Sequence, residues 1–171
     1  MHDEMLDIVD DQDIVIGQKL KSLIYADKKD YLIRVVNAFL INDQGELWIP
    51  RRTAHKKLFP LCLDASMGGH VMSGETYDQA FKRELQEELA LDADTIEYTC
   101  VGKLSPMQHD TSAFMYVYCI RTNQVPQFNT DDFSHYMWIK PDLLLSKIEQ
   151  GEPAKGDLKK MVHYLQSCTL F

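Results

Sequence analysis

One stretch of the chain, residues 69–91, constrains the fold more than any other segment. It reads GHVMSGETYDQAFKRELQEELAL. Thr76 and Gln79 have the spacing of a capping box, in which each side chain bonds the other residue's backbone N–H and so starts a helix. We therefore predict a helix over residues 77–90, entered from a glycine-containing loop.

The predicted helix has an apolar stripe with acidic residues along its edge. At about 100° per residue, side chains three or four positions apart share a face. The stripe consists of Phe81, Leu85 and Leu89, and the acidic edge of Glu84, Glu87 and Glu88. Like charges at this spacing repel, and carboxylates beside apolar residues need a neutralising partner. The pattern indicates either a solvated acidic face or a metal site.

A divalent cation would neutralise the three carboxylates. Oxygen ligands favour Mg²⁺ or Mn²⁺ over Zn²⁺, which prefers nitrogen and sulfur ligands. We expect Glu84, Glu87 and Glu88 to be the metal ligands. Because glycine lets a backbone approach a ligand closely, the Gly69 carbonyl is a candidate for a further ligand.

Arg83 and Glu75 complete a longer pattern around the acidic helix. We expect Arg83 to bridge Glu75 and a ligand carboxylate, which would orient that ligand. The pattern is Gly69, five residues, Glu75, seven residues and then RELQEELAL. It resembles the Nudix box, G-x(5)-E-x(7)-R-E-U-x-E-E-x-G-U with U apolar. The one departure is Ala90, where the box has its last glycine, so the turn that leaves the helix could differ. No ligand is lost.

A second charged segment, RRTAHKK at residues 51–57, is basic in an otherwise acidic protein. It is either a solubilising loop or a clamp for a diphosphate, because arginine donates two parallel hydrogen bonds and lysine supplies a point charge. The clamp is favoured, because the loop leads directly into the strand before the box. We expect exposed Arg52 and Lys56 to bind substrate, with Lys57 pointing away.

The segment around these basic residues resembles the Nudix branch related to isopentenyl-diphosphate isomerase. In those isomerases, Arg and Lys at the positions of Arg52 and Lys56 hold a diphosphate. The isomerase reaction needs a cysteine facing a glutamate and a histidine-rich metal site. Here the cysteine position is Gly68, and His70 is present, but YLIR at residues 31–34 stands where histidines are expected. The resemblance therefore implies the branch without the isomerase chemistry.

The resemblance implies a Mg²⁺- or Mn²⁺-dependent hydrolase that cleaves a diphosphate linkage in a nucleoside diphosphate derivative, NDP-X. It assigns catalytic roles to four residues of the box: Glu75, Arg83, Glu84 and Glu87. Glu84, Asp110 and Asp132 are the candidates for the general base. Roles for His70, His109 and Asp110 are left open. The alternatives are an isomerase and a non-catalytic Nudix-fold binding or regulatory domain.

Length and charge limit the other classes. A chain of 171 residues fits one domain over residues 1–171. Its net charge of −8 argues against a nucleic-acid polymer as partner and leaves a small phosphorylated substrate. The acidic N-terminus and the lack of a long apolar run predict a cytoplasmic protein without a membrane partner. The four cysteines are widely spaced and are expected to be reduced thiols. A homodimer is compatible with the sequence.

The resemblance implies a single-domain α/β/α sandwich around a mixed β-sheet. Residues 1–30 are expected to be an N-terminal extension with strands at 14–17 and within 19–30, the latter continuing as a loop. Hydrophobic patterns predict a hairpin of 31–41 with 46–49. Further strands are predicted at 61–66, 67–72, 96–105, 113–121 and 133–139. A loop is predicted at 106–110, between two of these strands. The C-terminal region, 141–171, should contain helices at 141–150 and 157–167.

Overall fold

A computed structural model describes residues 3–27 and 29–168. Within these residues, eight strands, five α-helices and a short 3-10 helix (Ala93–Thr95) follow one another. The strands are β1 (Met5–Val9), β2 (Val15–Leu20), β3 (Arg34–Ile41), β4 (Leu47–Arg52), β5 (Met67–His70), β6 (Tyr98–Leu104), β7 (Phe114–Arg121) and β8 (Phe133–Ile139). The helices are α1 (Lys21–Ala26), α2 (Tyr77–Leu89), α3 (Pro106–His109), α4 (Pro141–Glu149) and α5 (Leu158–Ser167).

A six-stranded mixed sheet forms the centre of the protein. Its strands lie in the order β6-β7-β3-β4-β8, and β5 pairs with β3 beside this row. Strands β3 and β7 are parallel, from Arg34 opposite Phe114 to Ile41 opposite Arg121, and the other pairings in this sheet are antiparallel. A parallel pair needs a long crossover, and here that crossover carries α2.

The two faces of the sheet are covered by different helices. Alternation along β3 turns Val36 and Leu40 towards the core that contains α2, and Phe39 and Ile41 towards the core that contains α4 and α5. The helices contribute these fully or largely buried side chains: Phe81, Leu85 and Leu89 from α2, and Leu144, Leu158, Met161, Val162 and Leu165 from α4 and α5. The predicted α/β/α sandwich around a mixed sheet is confirmed.

The acidic helix has the predicted start. Thr76 accepts from the Gln79 N–H and the Gln79 side chain accepts from the Thr76 N–H, so the capping box is complete. The helix ends at Leu89, and Ala90 takes the left-handed conformation with φ 51°. The alanine thus adopts the backbone that glycine would adopt more readily. The helix therefore ends in the left-handed turn that commonly closes helices.

The N-terminal region differs from its prediction. Strands β1 and β2 form a separate two-stranded sheet, joined to the main body through bridges from Leu6 to Met72 and Val9 to Leu32. Residues 21–26, predicted as part of a strand and loop, form helix α1 instead. This helix has no cap from its own N-cap residue. The Asp3 carboxylate, distant in sequence, accepts from the Ser22 N–H at 3.1 Å and so supplies the cap.

Two shorter predictions are also wrong. Residues 61–66 contain isolated bridges at Leu63 rather than a strand. The backbone N–H and C=O of Leu63 bond Pro153 and Lys155, while its neighbours Cys62 and Asp64 bond the backbone of β4. Residues 106–109 form helix α3 rather than a loop, because Ser105 caps it and Pro106 is its first residue. Across residues 3–27 and 29–168, no helix is long and apolar enough to cross a membrane.

Candidate active site

Strand β5 and helix α2 approach each other closely at Gly69. A Cβ atom on Gly69 would lie 1.8 Å from Glu84 Cδ, so any larger residue would displace the Glu84 side chain. The glycine is therefore required by the approach of the strand to the helix. This packing brings the Gly69 backbone beside the carboxylates of α2, as the sequence predicted.

Arg83 joins the start of the box to its acidic helix. Its guanidinium donates to both Glu75 oxygens, at 2.8 and 2.9 Å, and to Glu84 Oε1 at 2.7 Å. It also donates to the His70 carbonyl at 2.9 Å, and the Glu87 carboxylate lies 3.5 Å away. The hydrogen bonds that Arg83 donates to Glu75 contribute most to its raised pKa, so the guanidinium stays charged. The predicted bridge from Glu75 to a carboxylate of the acidic edge is present.

The three glutamates of the acidic edge lie in different environments. Glu88 is buried and accepts from the Gly68 N–H at 3.0 Å. Burial, reinforced by the nearby Glu84 carboxylate, raises the pKa of Glu88 to about 8. Burial also raises the pKa of Glu84 despite its pairing with Arg83. Glu87 is open to solvent, with 59% of its side chain exposed.

This donor set suits a hard divalent cation. Two buried carboxylates with raised pKa values need a nearby positive charge to remain ionised, and their oxygens are the ligands that Mg²⁺ and Mn²⁺ prefer. Among residues 3–27 and 29–168, no three His, Cys, Asp or Glu groups are already arranged to hold an ion. Glu84 and Glu87 are turned towards Arg83 instead. The residues fit a cation by their chemistry, and the contact of exposed Glu87 with Arg83 is the long one, at 3.5 Å.

A cavity of about 980 Å³ opens beside these carboxylates. Its wall includes Glu84, Glu87 and Glu88 together with Arg52 and Lys56. Tertiary structure therefore joins the box to the basic segment, as the clamp hypothesis requires. A cavity of this size is in the range of small-molecule sites.

The basic side chains of the clamp are not free cations. Arg52 is only 11% exposed; it donates to Asp64 Oδ2 at 2.8 Å and twice to the Leu58 carbonyl, at 3.1 and 3.2 Å. Lys56 forms an ion pair with Asp132. The expectation that Arg52 is an exposed charge is wrong, because Asp64 lies buried beneath it. Lys57 is exposed, as predicted.

The three candidates for the general base occupy different places. Glu84 and Asp132 line the cavity, whereas Asp110 does not. The Asp110 side chain is 98% exposed and pairs with Lys160. His109 accepts from the Ser105 N–H through Nδ1 at 3.1 Å and so closes the turn of α3. Asp110 and His109 thus form a surface turn.

His70 links the N-terminal region to the site. Its Nε2 lies 2.8 Å from the hydroxyl of Tyr25 in α1, and the two rings pack edge to face. Burial is the main cause that lowers the pKa of His70 to about 3, and Lys21 and Lys155 contribute. The imidazole is therefore neutral at physiological pH. No sequence pattern predicted the contact of Tyr25 with His70, because the position of Tyr25 depends on helix α1.

Comparison with known proteins identifies the family. The sequence model of the NUDIX domain matches residues 32–162. The chain belongs to the Nudix family. An uncharacterised Nudix hydrolase from Nostoc sp. is 52% identical over 159 residues, which are 93% of this chain and 94% of that protein. A Nudix hydrolase from Deinococcus radiodurans is 48% identical over 160 residues, 94% of this chain and 92% of that protein.

Structural comparison agrees with this assignment to the Nudix family. A crystal structure of a Deinococcus radiodurans protein matches with a TM-score of 0.88 at 46% identity, covering 97% of this chain and 99% of that chain. An isopentenyl-diphosphate Delta-isomerase from Paenarthrobacter aurescens is 30% identical over 159 residues, 88% of this chain and 84% of that protein. The predicted Nudix fold, the likeness to the isomerase branch and the prediction of a pyrophosphohydrolase are confirmed at the level of the family.

Proposed function

We propose that this Nudix protein is a Mg²⁺- or Mn²⁺-dependent hydrolase that cleaves the diphosphate linkage of a nucleoside diphosphate derivative, NDP-X. One observation carries the proposal: the carboxylates of the Nudix box and the basic side chains Arg52 and Lys56 line the same cavity. A site for hydrolysis of a diphosphate needs both parts, because the carboxylates hold a cation and the basic groups hold phosphate oxygens.

Glu84, Glu87, Glu88 and the Gly69 carbonyl are the proposed metal ligands. A bound cation would lower the pKa of water and offset the charge that develops at phosphorus. Arg83 holds Glu84 in place through the hydrogen bond at 2.7 Å. Because Glu75 accepts two bonds from the same guanidinium, Arg83 is fixed in orientation and cannot swing away from the ligand.

Arg52 and Lys56 are the proposed substrate-binding residues. Lys56 is half-buried in the cavity wall and can exchange its partner Asp132 for a phosphate oxygen. Such an exchange would release Asp132, a candidate general base, beside the substrate. Arg52 has two N–H groups beyond the three that Asp64 and Leu58 accept, so it can still donate towards the cavity.

An isomerase acting on isopentenyl diphosphate is the second candidate, favoured by the relative from Paenarthrobacter aurescens. The structure supports it poorly at Gly68. A Cβ atom there would lie 2.6 Å from Asn37 Oδ1, so a cysteine side chain would require Asn37 to move. The proposed hydrolase function does not need a side chain at this position.

A substrate screen tests the proposal. The protein is incubated with Mg²⁺ and nucleotide sugars, dinucleoside polyphosphates, NADH, coenzyme A or nucleoside triphosphates, and phosphate-containing products are measured. We expect hydrolysis of at least one compound, abolished by excess EDTA. Conversion of isopentenyl diphosphate without hydrolysis of any nucleotide would support the isomerase instead. Binding without turnover of any compound would favour a regulatory domain.

A Glu87→Gln variant tests the metal site. The side chain is exposed, so the fold should be unchanged, while loss of one ligand charge should lower kcat at least ~100-fold. Full activity of Glu87→Gln, or wild-type turnover in excess EDTA, would refute the metal mechanism. Asp78, also acidic and in the first turn of the same helix, provides the control as Asp78→Asn.

A further inference from the structure

The cavity wall next to Arg52 and Lys56 holds a further cation that lies far from the basic segment in sequence. Lys155, between α4 and α5, lines the cavity together with Arg52 and Lys56. Its Nζ atom is 3.4 Å from Asp64 Oδ1, whereas Arg52 binds the other oxygen of the same carboxylate at 2.8 Å. Two cations therefore share one buried carboxylate.

The lengths of the ion pairs distinguish Lys155 from its neighbours. Arg52 makes the closest contact with Asp64, and Lys56 makes the closest contact with Asp132. Lys155 has the longest of the three ion pairs, at 3.4 Å. Its ammonium group is therefore the cation of the three that a carboxylate holds least closely.

The backbone around Lys155 is held firmly against the sheet. The Lys155 N–H donates to the Leu63 carbonyl at 2.8 Å, and the Leu63 N–H donates to the Pro153 carbonyl at 2.8 Å. The two bonds form a short parallel bridge beside β4. The ammonium group is thus carried on a fixed Cα atom by a flexible side chain, which is 29% exposed.

Lys155 also lies beside the proposed metal ligands. Its Nζ atom is 3.6 Å from the place where a Cβ atom on Gly68 would lie, and the Gly68 N–H binds Glu88 Oε2 at 3.0 Å. Lys155 and Glu88 therefore lie on either side of Gly68, so a phosphate group held near Glu88 would be close to the Lys155 ammonium. An ammonium group beside phosphate forms strong charge-assisted hydrogen bonds.

We infer that Lys155 is a substrate-binding residue that contacts the diphosphate beside Arg52 and Lys56. The inference rests on the proposed function for its substrate. It extends the clamp beyond the basic segment, to a residue for which the sequence predicted no role. Its geometric basis is the shared carboxylate of Asp64.

Binding of a non-hydrolysable probe tests this inference separately from turnover. Methylenediphosphonate, in which a P–C–P bridge replaces P–O–P, is titrated calorimetrically in the presence of Mg²⁺ into wild type, Lys155→Met and Lys155→Arg. We expect about tenfold weaker binding for Lys155→Met, corresponding to one lost charge-assisted contact, and partial rescue by Lys155→Arg. Lys159→Met is the control, because Lys159 pairs with Glu149 at the surface.

Enzyme kinetics and thermal melting complete the test. On any hydrolysed substrate, Lys155→Met should lower kcat/KM about tenfold, mainly by raising KM, with the melting temperature unchanged. If Lys155→Met does not fold, Lys155→Gln takes its place. Each of three results would overturn the inference. These are unchanged probe affinity in Lys155→Met, no probe binding by the wild type, and equal losses of probe affinity for Lys155→Met and Lys159→Met. Lys155-dependent probe binding without turnover of any screened compound would refute hydrolysis and leave the inference intact.

Discussion

Replacement of Arg83 by alanine should lower both stability and activity. The guanidinium makes four hydrogen bonds between 2.7 and 2.9 Å, three of them to the carboxylates of Glu75 and Glu84. Glu84 is buried, so its removal from Arg83 leaves a charge without a partner. Loss of a partner from a buried pair costs about 3–5 kcal/mol. With 20% of the Arg83 side chain exposed, solvent screening reduces our expectation to roughly 2–4 kcal/mol.

Thermal melting and steady-state kinetics measure the two effects. In a domain of this length, each kcal/mol lowers the melting temperature by about 2–4 °C, so Arg83→Ala should melt roughly 4–16 °C below wild type. Loss of the orienting contact to Glu84 should lower kcat by about 10–100-fold. The melting temperature and kcat of Arg83→Lys should lie between those of wild type and Arg83→Ala, because lysine keeps the charge and loses the bidentate contact with Glu75.

Lys82 is a matched control for Arg83. It precedes Arg83 on the same helix and pairs with the exposed Asp94, so Lys82→Ala should change the melting temperature by little. Arg83→Ala with the melting temperature and rate of wild type would refute the reasoning. Equal losses of melting temperature and rate in Lys82→Ala and Arg83→Ala would show that the effect comes from the charge of the helix and not from the contacts of Arg83.

Three further predictions concern other parts of the protein. Lys56→Ala should raise KM about tenfold or more, because Lys56 lines the cavity, whereas Lys57→Ala at an exposed position should change KM little. Equal increases in KM for the two variants would show that only the overall positive charge of the loop matters. Ala90→Gly should stabilise by about 0.5–1 kcal/mol, because Ala90 has φ 51°, and a lower melting temperature would contradict this. Asp13→Asn should lower the free energy of unfolding in urea at pH 7, and its difference from wild type should shrink below about pH 4. A difference that does not change with pH would contradict this.

The sign of the Asp13 prediction follows from its surroundings. Only 7% of its side chain is exposed, and burial by itself raises its pKa. Hydrogen bonds from Lys103, Arg34 and Tyr77 outweigh burial and hold the pKa below its ordinary value of 3.8. A carboxylate with a depressed pKa stabilises the fold above its unfolded pKa. That stability is lost as the pH falls through the folded pKa.

Helix α2 shows how much local sequence can determine. Its start depends on Thr76 and Gln79, three residues apart, and its buried face on apolar side chains that recur every three or four residues. Both signals act within the helix itself, so they can be recognised from the sequence without knowledge of the tertiary structure. The spacing from Glu75 to Arg83 is equally local, because one loop and two helical turns bring their side chains into contact. The sequence therefore determined the helix, its acidic edge and the Arg83 bridge.

Tertiary structure decided the contacts between distant segments. Helix α1 is capped by Asp3, the burial of Arg52 depends on Asp64, and Lys155 reaches the cavity because Leu63 holds its backbone. None of these partners follows a helical or strand period from the residue it affects. A charged side chain in sequence looks the same whether it ends in solvent or over a buried carboxylate. Which of the two environments it meets depends on how the sheet brings remote segments together, and that arrangement sets its partner, exposure and role.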